Sequence, residues 1–264
     1  MSHIRRYVVR SLKTYQADVF LFNEVNMNRI KALKKYFTVT EWLIWSLSVT
    51  AIITVFIIFG GGLLSFIASL VGVTSLILCA KGNPIGQVLM IVFSSLYGII
   101  SLSCSYYGEL ATYVFMTMPM SVYALVCWLK NPYENKRSEV RVSSIGKRDL
   151  IILPITAILV TVVFYFILAY FNTANLLLST FSVTTSYTAV YLTARRSPLY
   201  ALAYAANDIV LIGLWTMASF QDISYISVTV CFAAFLVNDI YGFISWNRMK
   251  KRQADAICQG QISK

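Results

Sequence analysis

The sequence predicts an all-α, polytopic membrane protein, and three features support this: composition, spacing of apolar runs and placement of basic residues. Of its 264 residues, 58% are hydrophobic and 12% are charged, and the mean hydropathy is +0.69. An ordinary soluble domain is about 45–50% apolar and about 25% charged. The excess of apolar residues indicates a lipid environment and excludes most soluble enzymes.

Apolar runs follow one another along most of the chain. A transmembrane helix needs roughly 20 mainly apolar residues, and eight runs come close to that length. They lie at 42–59, 63–80, 85–105, 110–129, 150–171, 174–193, 199–219 and 225–247. Short turn-like breaks separate most of them, and one long polar connection runs from Lys130 to Asp149. We therefore predict eight spans.

The basic residues predict the orientation of these spans. Lys and Arg near span ends remain on the cytoplasmic side. With a cytoplasmic amino terminus, all 22 Lys and Arg residues fall in cytoplasmic segments, including the basic segment 1–41 and the tail 249–264. The net charge of +11 is then explained by topology and not by a nucleic-acid partner. We predict a cell-membrane protein with both termini in the cytoplasm.

A short pattern occurs twice along the chain. Residues 78–84 read LCAKGNP and residues 192–198 read LTARRSP, so L-x-A-[KR]-x-[NS]-P recurs 114 residues later. A second pattern, Tyr-x4-Trp, also occurs twice, ending at Trp128 in the first copy and at Trp246 in the second. Self-similarity in a common order indicates an internal duplication.

The duplication predicts a 3+1+3 arrangement of spans. Two parallel three-helix repeats, 63–130 and 177–248, are joined by a linker span at 150–171. The additional span at 42–59 precedes the repeats. Transporters built from such repeats bind their substrate near the middle of the membrane, between the repeats.

Ionisable side chains at membrane depth are costly enough to indicate function. Asp208 and Asp239 lie within the last two predicted spans, each preceded by Asn and followed seven residues later by Trp. Helical periodicity places further aromatic and polar residues near them. The predicted substrate-binding residues of the second repeat are Tyr200, Tyr204, Asn207, Asp208, Trp215, Asn238, Asp239, Tyr241 and Trp246. The first repeat contributes Tyr113, Ser121 and Tyr123, with Pro119 predicted to kink their helix.

Other roles are open for these side chains. A Trp near the end of a span, such as Trp246, is also typical of interfacial anchoring, and Asn or Asp can join helices by hydrogen bonds. No cofactor, metal site or enzymatic centre is predicted, since the one His is His3 and the five Cys show no paired spacing. A transporter of a small molecule is the expectation, with homo-oligomerisation left open.

At these residues the sequence resembles the nicotinamide riboside transporters of the PnuC type. The resemblance covers about residues 60–252, and rests on the 3+1+3 layout, the segment TARRSPLYALAYAANDIVLIGLW and the closing VNDIYGFISWNRMKKRQ. It implies an architecture similar to the SWEET sugar transporters. It also implies downhill uptake of nicotinamide riboside without an ion or ATP, followed by trapping through phosphorylation in the cytoplasm.

The resemblance further implies that aromatic side chains stack on the pyridine ring and amide side chains hold the ribose. Asn207 matches the polar position of the penultimate span, and Tyr200 matches the first Trp of a Trp-x-x-Trp pattern. Ala203 replaces the second Trp, and Tyr113 and Ser121 replace a Gln and an Asn. These departures leave alternatives open, namely thiamine, riboflavin or a deoxynucleoside as substrate, or a proton-coupled carrier that uses Asp208 or Asp239.

Overall fold

The computed structural model describes residues 35–60, 62–103, 107–134, 136–173 and 175–260. Most of the predicted basic segment 1–41 therefore lies outside the described residues. The chain divides into two units, Met1–Leu43 and Ile44–Lys264. In the first unit, the Thr38 N–H donates to the Glu41 carboxylate at 2.7 Å and the Glu41 N–H donates to Thr38 Oγ1 at 3.3 Å. This reciprocal pair is a capping box and starts the first helix.

Helices make up nearly all of the regular structure, which confirms the predicted all-α class. They are α1 (Val39–Phe59), α2 (Leu63–Ala80), α3 (Pro84–Ser103), α4 (Tyr107–Thr112), α5 (Met118–Leu129), α6 (Lys147–Tyr170), α7 (Leu176–Ala194), α8 (Leu199–Ser219) and α9 (Ile226–Cys258). A π-helical turn, Tyr113–Thr117, joins α4 to α5, and a 3-10 turn, Ile223–Tyr225, precedes α9.

Within the described residues, seven helical segments are long and apolar enough to cross a membrane. The predicted span at 174–193 forms α7, which is not among them because eight of its 19 residues are Ser or Thr. Many of these hydroxyls donate to carbonyls one turn earlier, as from Thr180 to Leu176 and from Thr188 to Thr184. Such bonds satisfy the polar groups inside the helix. The count of eight spans remains a prediction.

The apolar core of the larger unit lies where α2, α3, α8 and α9 pack together. Gly72 of α2 permits the closest approach in this core. A Cβ atom at Gly72 would lie 2.4 Å from the ring of Phe235 and 3.1 Å from the ring of Phe93. The absence of a side chain therefore lets both rings pack directly on the helix backbone.

Both copies of the L-x-A-[KR]-x-[NS]-P pattern form the same turn. Gly82 and Arg196 both adopt a left-handed conformation, with φ of +67° and +58°. The side chains of Asn83 and Ser197 then accept hydrogen bonds from the N–H groups two residues later, at 3.0 and 3.3 Å. These bonds cap the starts of α3 and α8. The 3+1+3 division of the whole chain remains a prediction.

The long polar connection contains a short antiparallel hairpin, β1 (Pro132–Tyr133) and β2 (Lys136–Val140). The Val140 N–H donates to Gly82 O and the Ser143 N–H donates to Arg196 O, each at 2.9 Å, so this connection contacts both turns. Gln253 of α9 donates to Val140 O at 3.1 Å.

Helix α9 continues well past the predicted end of its span at 247 and runs through most of the predicted tail 249–264. Gln253 is buried and its Oε1 accepts a hydrogen bond from the Val142 N–H at 2.8 Å. Met249 is also buried and packs in one cluster with Val140. The helix extends because the connection supplies a second surface for it to pack on, a tertiary contact that hydropathy does not register.

Candidate functional site

A cavity of about 70 Å³ lies among the helices of the larger unit. Its walls combine aromatic and apolar side chains with hydroxyl, amide and carboxyl groups. The lining residues are Leu76, Met90, Phe93, Thr112, Tyr113, Thr117, Leu168, Thr173, Ser179, Ser182, Ser186, Tyr204, Asn207, Asp208, Leu211, Leu214, Phe232, Phe235 and Asp239. None of these lining residues is Lys, Arg or His. The charges that the walls can carry are therefore acidic.

Asn207 of α8 is held in place by α7. Its side-chain Oδ1 accepts hydrogen bonds from Thr185 Oγ1 and Ser186 Oγ, both at 2.9 Å. Asn207 is buried, and its Nδ2 makes no hydrogen bond to any residue that the structure describes. Two donors on the oxygen fix the orientation of the amide. Its nitrogen is left to donate to a ligand in the cavity.

Asp208 of α8 and Asp239 of α9 meet in the wall of the cavity. They are 3% and 4% exposed, and both belong to the cavity lining. Asp208 Oδ2 and the cavity-lining Thr173 Oγ1 are buried and have no hydrogen-bond partner in the described part of the chain. Unsatisfied buried polar atoms are rare in folded proteins. Two of them around one cavity indicate a site for a polar ligand.

An aromatic wall faces these polar groups. The Tyr113 ring centroid lies 4.7 Å from that of Tyr97 and 6.1 Å from that of Phe93, and Phe93 lies 5.6 Å from Phe235. Tyr113 begins the π-helical turn, an irregularity often found at functional sites. The turn ends just before Pro119, which has no N–H to continue regular helix hydrogen bonding. The π-helical turn thus directly precedes the helix that contains Pro119, and the kink predicted at Pro119 remains a prediction.

The structure brings five of the predicted contact residues together around the cavity. They are Tyr113, Tyr204, Asn207, Asp208 and Asp239. Four of them come from α8 and α9, the helices that carry the Asn-Asp pairs, and Tyr113 comes from the π-helical turn. The structure thus gathers the two acids and the amide at one place. Their contact with a substrate remains a prediction.

Trp246 and Tyr200 lie elsewhere, in a tryptophan cluster formed by Trp128, Trp246 and Tyr200. Both Trp side chains are fully buried, with ring centroids 5.3 Å apart, and Tyr200 packs edge-on against Trp246 at 4.9 Å. The Trp246 Nε1–H donates to Cys79 O at 2.8 Å, and the Trp128 Nε1–H donates to Thr193 O at 2.9 Å. Cys79 and Thr193 occupy equivalent positions in the two repeated turns. Neither Trp lines the cavity, and neither is an exposed interfacial anchor.

The other predicted contact residues also lie outside the cavity lining. Asn238 donates to Ser48 Oγ at 3.1 Å and to Ala234 O at 2.7 Å, so it joins α9 to α1. This is the helix-joining role that the sequence left open. Trp215 and Ser121 are buried, Tyr241 is partly buried and Tyr123 is 54% exposed.

Sequence reasoning missed the contribution of α7. Ser179, Ser182 and Ser186 line the cavity, and Thr185 and Ser186 hold Asn207. A signal was present in the dense Ser and Thr content of the 174–193 run. A hydroxyl-rich helix among apolar ones indicates a face that serves a polar site.

A separate polar cluster holds the start of α6 against the end of α7. Asp149 accepts hydrogen bonds from Arg195 Nη2 at 2.8 Å, from the Tyr191 hydroxyl at 2.9 Å and from the Gly146 N–H at 3.1 Å. The bond to Asp149 raises the pKa of the Arg195 guanidinium. Burial lowers the pKa of the neighbouring Arg196 guanidinium. This cluster is fully paired and lies outside the cavity lining.

Apolar helices around a polar, buried cavity define a polytopic membrane transporter of a small molecule. Residues 62–248 match the nicotinamide mononucleotide transporter family, and the chain belongs to that family. The nicotinamide riboside transporter PnuC of Neisseria mucosa is 23% identical over 218 residues, covering 81% of this chain and 82% of that protein. A crystal structure of the vitamin B3 transporter PnuC has the same fold, with a TM-score of 0.71 and 21% identity over 82% of this chain and 94% of that chain.

Proposed function

We propose that this chain carries nicotinamide riboside across the cell membrane by facilitated diffusion. The description of the family names a mononucleotide, whereas the Neisseria mucosa relative is named for the riboside. The two compounds differ by a phosphate, which adds about −1.5 to −2 charge. The charge of the cavity can therefore discriminate between them.

The observation that carries the proposal is the acidic character of the cavity. Asp208 and Asp239 line it, and no Lys, Arg or His is among the lining residues that the structure describes. A phosphate placed beside carboxyl groups without a cation would be strongly disfavoured, because electrostatic interactions are strong away from water. The riboside carries a positive charge on its pyridinium ring, which the carboxyl groups attract. The cavity thus favours the riboside over the mononucleotide.

The remaining groups match the other parts of the riboside. The rings of Phe93, Tyr113 and Phe235 offer faces for a flat cationic ring, to which aromatic side chains are attracted. Asn207 Nδ2 and the serine hydroxyls of α7 are placed to hydrogen-bond ribose hydroxyls. We assign substrate contact to the five predicted residues in the cavity lining, namely Tyr113, Tyr204, Asn207, Asp208 and Asp239.

The acidic cavity also gives a direction to net uptake. Phosphorylation of the riboside in the cytoplasm would yield a product that the acidic cavity disfavours, so the product would not return by this route. The distribution of the 22 basic residues supports a cytoplasmic location for both termini. Transport itself then needs no ion or ATP.

Uptake of labelled nicotinamide riboside into proteoliposomes, with the membrane potential held at zero, tests the proposal. We expect saturable uptake of the labelled riboside. Unlabelled riboside should inhibit it at a concentration at least tenfold lower than the mononucleotide, because the two compounds differ strongly in charge. Equal competition by the mononucleotide, or no saturable uptake, would contradict it. An imposed pH gradient tests the proton-coupled alternative. Accumulation of the riboside above its equilibrium concentration would show proton coupling and contradict facilitated diffusion.

Thiamine is the second candidate, because it too is a flat-ringed cation that suits an acidic, aromatic cavity. Tyr200, Ala203, Tyr113 and Ser121 differ from the pattern of the riboside transporters that the sequence resembles, which also favours testing it. Riboflavin and deoxynucleosides lack a fixed positive charge and gain less from the two acids. Thiamine that outcompetes the riboside in the same assay would make it the substrate.

A further inference from the structure

The two carboxyl groups of the cavity are close enough to influence each other strongly. Asp208 and Asp239 are nearly fully buried and line the same cavity from two adjacent helices. Two ionised carboxylates at one buried place repel each other, and a proton on one of them removes that repulsion. Carboxyl pairs in this arrangement share a proton in proteins.

Among the residues that the structure describes in the cavity lining, no basic side chain is positioned to replace that proton. The titratable groups that face the pair from the surrounding helices are Tyr200 and Tyr204 of α8, Cys79 of α2 and Cys231 of α9. Tyr113 adds a phenol to the cavity wall, and the other lining residues are apolar or carry hydroxyl or amide groups. Phenols and thiols are neutral or negative, so none of them compensates a second negative charge.

One oxygen of the pair is available to a ligand. Asp208 Oδ2 is buried, has no hydrogen-bond partner within the described residues, and belongs to a residue of the cavity wall. A cationic ring placed there would supply a positive charge, which the described residues of the cavity lining do not provide. The cation would then take the place of the shared proton.

We propose that Asp208 and Asp239 hold one proton between them in the empty cavity and release it when a positively charged heteroaromatic ligand binds. The site carries one net negative charge before and after this exchange, which avoids two uncompensated charges in a buried place. The inference rests on the proposed function for the choice of ligand. It adds a link between ligand affinity and pH, and uptake stays downhill as long as the empty transporter reorients in both protonation states.

The purified full-length protein, bound to two matched probes over a series of pH values, tests this exchange. The probes are nicotinamide riboside, which is a cation, and its 1,4-dihydro form, which has nearly the same shape but a neutral ring. Release of one proton predicts that riboside affinity rises about tenfold per pH unit while the pair is protonated. Affinity for the dihydro form stays flat. Equal slopes for both probes, or no slope for the riboside, would overturn the inference.

Amide substitutions then assign the slope to the pair. In the double variant Asp208→Asn/Asp239→Asn no carboxyl group of the pair is left to titrate, so the pH slope for the riboside disappears. Asp208→Asn alone leaves one buried carboxyl group and should move the pH range of the slope, which provides a second test if the double variant does not fold. Asp255→Asn, an exposed acid-to-amide change on α9, keeps the slope over its original pH range. An unchanged slope over the original pH range in either folded cavity variant contradicts the assignment.

The outcomes separate this inference from the proposed function. If the riboside does not bind but thiamine binds with the same pH slope, the proton exchange holds and the riboside is the wrong ligand. If the riboside binds with an affinity independent of pH, the proposed ligand holds and the proton exchange fails.

Discussion

The tryptophan cluster and the cavity are both buried, and both combine aromatic rings with polar groups, yet they differ in how those polar groups are paired. In the cluster, the indole N–H groups of Trp128 and Trp246 each donate to a backbone carbonyl. In the cavity, Asp208 Oδ2 and Thr173 Oγ1 have no partner within the described residues. Since buried polar groups are normally satisfied, the paired indole groups indicate a structural role for the cluster, and the unpaired atoms in the cavity wall indicate a place for a ligand.

The largest effect is expected from removing a ring of the tryptophan cluster. Trp246→Ala should lower the free energy of unfolding by about 3–5 kcal/mol, because it opens a cavity at a fully buried position. The protein that remains folded should bind the riboside with unchanged affinity. Thermal unfolding in detergent and a binding isotherm on the same sample measure both quantities.

Trp246→Phe is the matched control, since it keeps most of the ring and removes the indole N–H. It should cost about 1–3 kcal/mol, because the Cys79 carbonyl loses its donor and a small void opens where the indole was. A large loss of affinity in either variant at near-normal stability would instead place Trp246 in the binding site.

The second comparison is between two asparagines. Asn207→Ala should weaken riboside binding about tenfold to a hundredfold, since a hydrogen-bonding group in the cavity contributes about 1–3 kcal/mol. Asn238→Ala should lower stability by about 0.5–2 kcal/mol, because it removes the link to Ser48, and should leave binding within about threefold. The reverse pattern would exchange the roles assigned to the two residues.

A smaller effect is expected from narrowing the cavity indirectly. In Gly72→Ala the new methyl group must displace the ring of Phe235, which lines the cavity. We expect a loss of affinity of about fivefold, equivalent to about 1 kcal/mol of overpacking. Gly213→Ala is the control, because no neighbouring atom lies within 4 Å of its added Cβ. It should bind normally and be up to about 1 kcal/mol more stable, as Ala is the better helix former. Equal binding by the two variants would show that Phe235 does not shape the cavity.

The smallest effect is expected at Tyr123. Its side chain is 54% exposed and lies outside the cavity lining, although the sequence predicted substrate contact there. Tyr123→Phe should therefore change stability by less than about 0.5 kcal/mol and leave uptake within about twofold. A larger loss of uptake would restore Tyr123 as a contact in another state of the transporter.

Local patterns predicted the helices well and the site only in part. The helix positions follow from runs of apolar residues, a property that each segment carries by itself. Helical periodicity correctly placed Tyr200 and Asp208 on one face of α8. Periodicity gives the face of a helix but not the position along its axis. Tyr200 and Asp208 are eight residues apart, which corresponds to about 12 Å along the helix at a rise of about 1.5 Å per residue. At that separation Tyr200 packs against Trp246 while Asp208 reaches the cavity.

The sequence by itself determined the membrane environment, the helices, the two repeated turns and the family, because hydropathy, turn residues and motif spacing act over short stretches of chain. The tertiary structure decided which polar residues meet. It placed Asp208 and Asp239 of two different helices in the lining of one cavity, and it brought the serines of α7 beside Asn207. It also gave Trp246 and Asn238 structural partners. Such assignments depend on which hydrogen bonds neighbouring helices satisfy and which they leave open, and that balance exists only when the helices are packed together.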